Sequence, residues 1–222
     1  MAFNGLGTQL AVLNAQHKEL GALVIDIGAG TTEYVVNRGG IVRHAGVLAV
    51  GGDHVSQDLA VGLKLALGMA DQLKIEHGST AVEDVARGTT ISIPNSNGLN
   101  PRVINLEHLR RIVHARLEEI LEIVEQRVSQ SIPLEDLHGG VVLCGGVAQT
   151  PGLLRLAERI FQLPARLGRI ECVSGFVDDR GQVEFATAVG LAKLGSFRIQ
   201  QQMTEGGRWN LRKTISGLFG RD

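Results

Sequence analysis

At 222 residues, 44% of them hydrophobic, the chain can bury a real core as one large domain or two small ones, and it does not read as disordered. The 22 Lys and Arg against 23 Asp and Glu leave no basic excess that would steer the whole molecule toward nucleic acid. The charge is uneven, though: from Ser196 onward Arg198, Arg208, Arg212, Lys213 and Arg221 face only Glu205 and Asp222, a terminal +3 balanced by −4 over the rest.

Cys144 and Cys172 are the only cysteines, and neither has a CxxC or His-rich neighbourhood. The opening MAFNGLGTQLAVLNAQ lacks the basic start and apolar run of a signal peptide, so a reducing cytoplasm is the expected compartment. No run approaches the length of a membrane-spanning helix, and bilayer contact is expected to be peripheral. His44, His54, His77, His108, His114 and His138 have no metal spacing and read as ordinary surface or core residues.

In chain order, ALVIDIG and TTEYVVNRGGIVRHAGVLAVGG predict a meander of three β-strands, with a turn at Gly39-Gly40. Asp53 is expected to cap a helix in which Val55, Leu59, Leu63, Ala66 and Leu67 recur at helical spacing, followed by a second short helix across Ala70 to Glu76. The stretch ISIPNSNGLNPR, with two of the five prolines, predicts a loop or edge hairpin. After Asn105, a cap, Leu106, Leu109, Val113, Leu117, Ile120, Val124 and Val128 make the apolar stripe of a long helix, with Arg110, Arg111, Glu118, Glu119 and Glu122 on its other face. GGVVLCGGVAQTPGLLRLAERIFQLP returns to an α/β unit: a short buried strand, a glycine turn, and a helix entered through Thr150 as cap and Pro151 in the first turn. EFATAVGLAKLG predicts one more helix ending at Gly195, and the aperiodic SFRIQQQMTEGG reads as a linker.

Three pieces of this pattern can meet at a nucleotide. In Asp26-Ile27-Gly28-Ala29-Gly30-Thr31-Thr32 a strand delivers a carboxylate, after which small residues let backbone N–H groups and two hydroxyls approach a phosphate. Gly145-Gly146-Val147-Ala148 precede a helix whose N-terminus favours negative charge. Asp71 and Lys74 form an i, i+3 acid and base able to bracket a ribose or a purine edge. Taken singly, each also fits a hairpin turn, a strand-to-helix connection or a surface ion pair. Their order is more telling, because it resembles the nucleotide site of actins, heat-shock chaperones and sugar kinases.

KELGALVIDIGAGTTEYVV, GGIVRHAGVLAVGGDHVSQDLA, ADQLKIEHG, VVLCGGVAQTPGL and ATAVGLAKLG together resemble the bacterial FtsA family, actin-like membrane tethers of FtsZ. The resemblance implies an α/β fold in which residues 20–52 and 138–196 form an RNase H-like subdomain with a mixed sheet. Residues 53–137 would be an inserted smaller α+β subdomain that receives the FtsZ C-terminal tail, where Arg87, Arg102, Arg110 and Arg111 are candidates to meet an acidic peptide. Carried over by residue, Asp26 matches the acid near Mg2+ and the attacking water, acting on the metal through water. Gly28, Gly30, Thr31 and Thr32 match a phosphate loop, Asp71 and Lys74 the adenosine-contacting pair, and Gly145, Gly146 and Val147 the adenosine loop, with ATP as the implied ligand. Ala29 stands where the family has Gly, adding a methyl beside the phosphates, and Glu33 stands where it has Asp. The chain contains one loop of this kind where actin-like ATPases close two lobes on the nucleotide. The expectation is therefore weak ATP binding, little hydrolysis, and a scaffold rather than an enzyme.

The terminal GRWNLRKTISGLFGRD is expected to form an in-plane membrane helix over 208–222 after a linker over 197–207. At about 100° per residue Leu211, Ile215, Leu218 and Phe219 share a narrow arc, Arg212 borders it, and Lys213 lies opposite. Trp209 falls off the arc near the helix start, where an indole can sit among headgroups. A docking helix or a basic tail are the other readings of this segment. The resemblance favours membrane binding at the cytoplasmic face of the division site, with stable attachment requiring several copies on a filament. Two other readings of the chain are a pilus-assembly protein resembling PilM, which leaves the tail without a role, and a sugar-kinase-like phosphotransferase, which lacks a recognisable substrate acid.

Overall fold

The computed structural model describes residues 3–93, 101–170 and 183–200. It opens with two short helices, α1 (Asn4–Val12) and α2 (Ala15–Leu20), followed by β1 (Ala22–Ile27), β2 (Thr32–Arg38) and β3 (Ile41–Leu48). β1 to β3 form the meander expected from their β-branched runs, antiparallel throughout and turning at Gly39-Gly40. β6 (Val141–Cys144) then adds parallel to β1, and β7 (Ala165–Leu167) adds parallel to β6, giving a mixed five-stranded sheet of order β3-β2-β1-β6-β7. Both faces of β1 and β6 are covered, so their residues are nearly all buried and read as continuous apolar runs.

Between β3 and β6 the chain builds a second group of elements. These are α3 (Gly52–Gly62), α4 (Leu67–His77), the antiparallel pair β4 (Thr90–Ile93) and β5 (Arg102–Asn105), and the 24-residue α5 (Leu106–Ser129). α3 packs on α4 and α5, while α5 reaches back to β2 and to α6 (Leu153–Phe161). In the apolar stripe of α5, Leu109, Val113, Leu117, Ile120, Val124 and Val128 are buried and joined by Leu121, while Leu106 at its start is half-buried. Each such side chain contributes about 1.5–3 kcal/mol on burial. Asn105 caps α5, its side-chain oxygen accepting from the His108 amide.

Four helix boundaries differ from the sequence-based expectation. Asp53 lies in the first turn of α3 and Gly51 is the N-cap, because Gly52 and Asp53 give their amides to a neighbouring loop. α3 ends at Gly62, which leaves Ala66 and Leu67 exposed at the start of α4. Thr150 and Pro151 precede α6, whose N-cap is the left-handed Gly152. The last described helix, α7 (186–200), runs through Gly195, so residues 197–200 are helical and not linker. Residues 201–207 of the expected linker, the 208–222 segment with Trp209, Leu211, Arg212, Lys213, Ile215, Leu218 and Phe219, and Cys172 lie outside the described residues. No helix among the described residues is long and apolar enough to cross a membrane.

Candidate functional site

β1 ends in Asp26 and Ile27, and residues 28–31 turn the chain into β2. Gly28 closes this turn by donating its amide to the Thr31 carbonyl at 2.9 Å. The first amides of α3 hold it from outside: Gly52 donates to Gly28 O at 2.9 Å and Asp53 to Ala29 O at 2.8 Å. Ala29, Gly30 and Thr31 are exposed at the tip. Thr32 is not available to a ligand as expected, because it is fully buried and its hydroxyl donates to Val50 O at 2.8 Å.

The second loop leaves the same end of the sheet. β6 lies beside β1 with Cys144 in register with Asp26, so both strands release their loops side by side at their carboxyl ends, the usual position of a crevice in α/β sheets. Gly145 turns there with φ +84°, and a Cβ on it would lie 2.3 Å from Ile27 O and 2.6 Å from Asp26 Oδ1. Only glycine fits. Gly146 to Gln149 follow as one 3-10 turn.

α4 supplies the third piece. Lys74 Nζ donates to Asp71 Oδ1 at 2.7 Å, to Ser56 Oγ at 2.8 Å and to Gly52 O at 3.2 Å. Ser56 in turn donates to Asp71 Oδ1 at 2.8 Å. The bond from Lys74, then that from Ser56, holds the Asp71 carboxyl below the usual carboxylate range. Ser56 lies within the stretch GGDHVSQDLA, and only the fold brings it beside Asp71 and Lys74.

These pieces converge on one cavity of about 550 Å³, within the size range of small-molecule sites. Gly28, Ala29, Gly52, Lys74, Gly146 and Val147 line it, together with the apolar Val55, Ile75, Val113 and Leu117 and with Gln149, Pro151 and Glu184. Asp71 is turned aside toward Ser56, and Gly30, Thr31 and Gly145 are not among the lining residues. Glu184 was not foreseen, since it belongs to no motif.

Asp26 stands behind the loops. Its Oδ2 accepts from Thr8 Oγ1 of α1 at 2.8 Å and from Thr187 Oγ1 of α7 at 2.6 Å, while Oδ1 lies on the Gly145 side. Glu33 is its cross-strand partner in the β1–β2 register. Burial, and then the nearby Asp26 charge, push the Glu33 carboxyl up against the opposing bond from Asn4, and Glu33 Oε2 is buried without a partner. Burial and the Asp26 charge likewise push the Cys144 thiol far up, which makes it an inert core residue. Among the described residues no three His, Cys, Asp or Glu side chains gather as a metal cluster. Neither Asp26 nor Glu33 is among the residues that line the cavity.

A mixed sheet with two glycine turns facing one crevice, and a helical insertion bearing a lysine on its wall, defines one lobe of the actin-like ATPase fold. Solved structures of that class superimpose on it. MreB5 of Spiroplasma citri bound to AMPPNP matches with a TM-score of 0.71 over 91% of this chain and 60% of its own, at 20% identity. A MamK double helical filament matches at 0.63 (86% and 58%, 16% identity) and a PilM-PilN type IV pilus biogenesis complex at 0.60 (88% and 52%, 19% identity). At such identities these likenesses speak for the fold alone. Sequence comparison decides the family: the family described as cell division protein FtsA matches residues 23–190, and this chain belongs to it. Among relatives, FtsA of Neisseria meningitidis serogroup B is 36% identical over 187 residues, covering 84% of this chain and 45% of the relative. FtsA of Escherichia coli K12 is 31% identical over 202 residues, 88% and 48%. The chain thus spans about half the length of these relatives.

Proposed function

We propose that this chain is the part of an FtsA-type cell-division protein that binds ATP, receives the FtsZ C-terminal tail and reaches the cytoplasmic face of the membrane at the division site. The observation that carries the nucleotide reading is the convergence of the loop after Asp26 and the loop after Cys144 on one cavity with Lys74 in its wall. Gly28 and Ala29 let a phosphate chain approach the backbone, while Lys74, Gly146 and Val147 line the cavity where an adenosine would lie, together with the apolar Val55, Ile75, Val113 and Leu117. Mg2+ would supply charge neutralisation at the phosphates when bound, and Asp26 is the carboxylate that would act on it through water. Hydrolysis is weak at most and the protein acts as a scaffold. Nucleotide-dependent self-association into filaments fits the actin-like fold.

Residues 20–52 and 138–196 are the nucleotide-binding subdomain in this reading, and 53–137 the subdomain that takes the FtsZ tail. Two adjoining clefts support the latter, one lined by Lys64, Arg102, Val103 and His108, the other by Asn105, His108 and Arg111. Arg102 already donates to the Leu63 and Lys64 carbonyls and Arg111 is paired with Glu107, so an acidic tail must compete for them. The segment 208–222 is the membrane contact.

Titrating a fluorescent ADP against the chain, alone and with the remainder of a full-length relative, tests the nucleotide site. Micromolar-range binding strengthened by the added portion is expected, whereas no binding in either case refutes the reading. Co-sedimentation with anionic liposomes, with and without residues 206–222, tests the membrane end. Binding that survives the deletion refutes that role for the tail.

A further inference from the structure

Ser56 of α3 faces both charges of the Asp71–Lys74 pair on α4, yet it is itself buried and does not line the cavity. A serine inside a helix ordinarily returns its proton to the carbonyl four residues back. Here that carbonyl, Gly52 O, is 3.3 Å away, whereas Asp71 Oδ1 is at 2.8 Å and carries charge, so the single hydroxyl proton goes to Asp71. The hydroxyl oxygen is left to accept from Lys74 Nζ, also at 2.8 Å.

An ammonium has three N–H groups, and that of Lys74 has three acceptors: Asp71 Oδ1 at 2.7 Å, Ser56 Oγ at 2.8 Å and Gly52 O at 3.2 Å. Gly52 and Ser56 lie one turn apart on α3, and Asp71 lies one turn before Lys74 on α4, so the charge is fixed between two helices. The peptide that carries the Gly52 carbonyl is anchored in its turn, because its N–H, that of Asp53, donates to Ala29 O at 2.8 Å. Among the described residues Lys74 is the one Lys or Arg that lines the cavity. Its place is therefore set before any ligand arrives, which spares binding the cost of ordering a long side chain.

Resting on the nucleotide reading above, we propose that Ser56 is a positioning residue for nucleotide binding, its hydroxyl holding Lys74 in the cavity by donating to Asp71 and accepting from the ammonium. Without the hydroxyl, one N–H of Lys74 points at a buried spot that offers no acceptor. Because Ser56 stands outside the cavity lining, the released N–H does not face a ligand. The Asp71 side chain, 47% exposed, is then free to turn outward, and the lysine follows it as an ordinary surface ion pair. Binding must then reorder that side chain, and affinity falls.

The test is calorimetric titration of ADP into the full chain and its Ser56→Ala and Ser56→Cys variants, each made also together with Lys74→Ala, with melting temperatures alongside. Ser56→Ala is expected to weaken ADP binding about fivefold. Ser56→Cys is expected to do the same, since a thiol keeps the volume but is a weak donor and acceptor. With Lys74→Ala in place, neither change should lower the affinity further, because Ser56 acts through the lysine. Unchanged ADP affinity in Ser56→Ala, affinity kept by Ser56→Cys where Ser56→Ala loses it, or an equal loss with and without Lys74 overturns this inference while leaving the nucleotide site standing. Absence of ADP binding by the unmodified chain removes both. Should Ser56→Ala fail to fold, Ser56→Cys with and without Lys74→Ala still decides.

Discussion

Thr187 donates its hydroxyl to Asp26 Oδ2 at 2.6 Å, joining the last described helix to the end of β1 across 161 residues of sequence. Thr8 of α1 meets the same oxygen at 2.8 Å, and the two hydroxyls are 2.8 Å from each other. The carboxylate read from sequence as the group nearest a metal is therefore also the tie between α1 and α7. Bonds to a charged acceptor contribute about 1.5–3 kcal/mol each, more than a neutral pair, because an abandoned buried carboxylate is costly. Thr187→Val should lower stability by about 2 kcal/mol in urea denaturation. The Thr8→Val/Thr187→Val double variant should lose more than the sum of the singles, since each hydroxyl covers for the other. Additive losses below about 0.5 kcal/mol each would mean that the tie is not made in solution.

Lys74 and Asp71 were read as a pair with equal claims on a ligand, and their geometry divides the roles. Lys74 lines the cavity, while Asp71 points at Ser56 and serves to hold the ammonium. Lys74→Ala should weaken ADP binding about tenfold, and Asp71→Asn should weaken it by less, through a loosened lysine. The depressed Asp71 pKa means that its favourable contribution is present above the ordinary carboxylate value and lost as pH falls through the lowered folded value. Lys74→Ala should accordingly flatten the acid limb of the stability profile. Equal losses of ADP affinity from the two variants would contradict this division.

What could be read from the residues alone follows a physical divide. The meander of β1 to β3 and the stripe of α5 are written in local periods of 2 and 3.6 that no distant contact overrides. The glycine loops and Lys74 were legible as motifs, and their convergence as an order of motifs. Two of the boundaries that differ have tertiary causes. Asp53 has the better capping side chain, yet its amide is engaged by Ala29 O, and a Cβ on Gly51 would lie 2.5 Å from Gly28 O, so the helix starts where the loop lets it. Thr150-Pro151 carries a helix-start signature, but Pro151 O is taken by Ser79 and Thr80, and Gly152 turns left-handed before α6 begins. Thr8 and Glu184 come from far along the chain and leave no trace in any short window, and Ser56 sits inside a quoted stretch whose pairing with Asp71 and Lys74 only the fold reveals.

α1 and α7 cross so closely that a Cβ on Gly190 would lie 1.7 Å from Gly7 O, whereas Gly195, five residues on, meets nothing within 4 Å. Two glycines of one helix thus predict opposite outcomes. Gly190→Ala must force the helices apart, pulling Thr187 from Asp26, and should cost upwards of 3 kcal/mol or abolish folding. Gly195→Ala removes the glycine penalty within a continuing helix and should stabilise by up to about 1 kcal/mol. Circular dichroism melts of both variants check this. A destabilised Gly195→Ala would restore the helix stop that the sequence suggested at that position.

Glu33 gives a pH test with the opposite sign to that of Asp71. Its folded pKa is raised, by burial first and by the Asp26 charge after it. A raised folded value makes the contribution of this group fully present below the unfolded carboxylate pKa and lost as pH rises through the folded one. At neutral pH the ionised group is thus a liability, because burial and the Asp26 charge outweigh the bonds from Asn4 and the Gly5 backbone. Glu33→Gln keeps an acceptor for the bond from Asn4 and removes the charge, so it should raise the melting temperature at pH 7 and give no gain at pH 4. A gain of equal size at both pH values would assign the effect to packing. A loss at pH 7 would mean that the ionised carboxylate is satisfied in solution by water or a cation at the Asp26 side, and titrating Mg2+ against the melting temperature of the unmodified chain then separates those two causes.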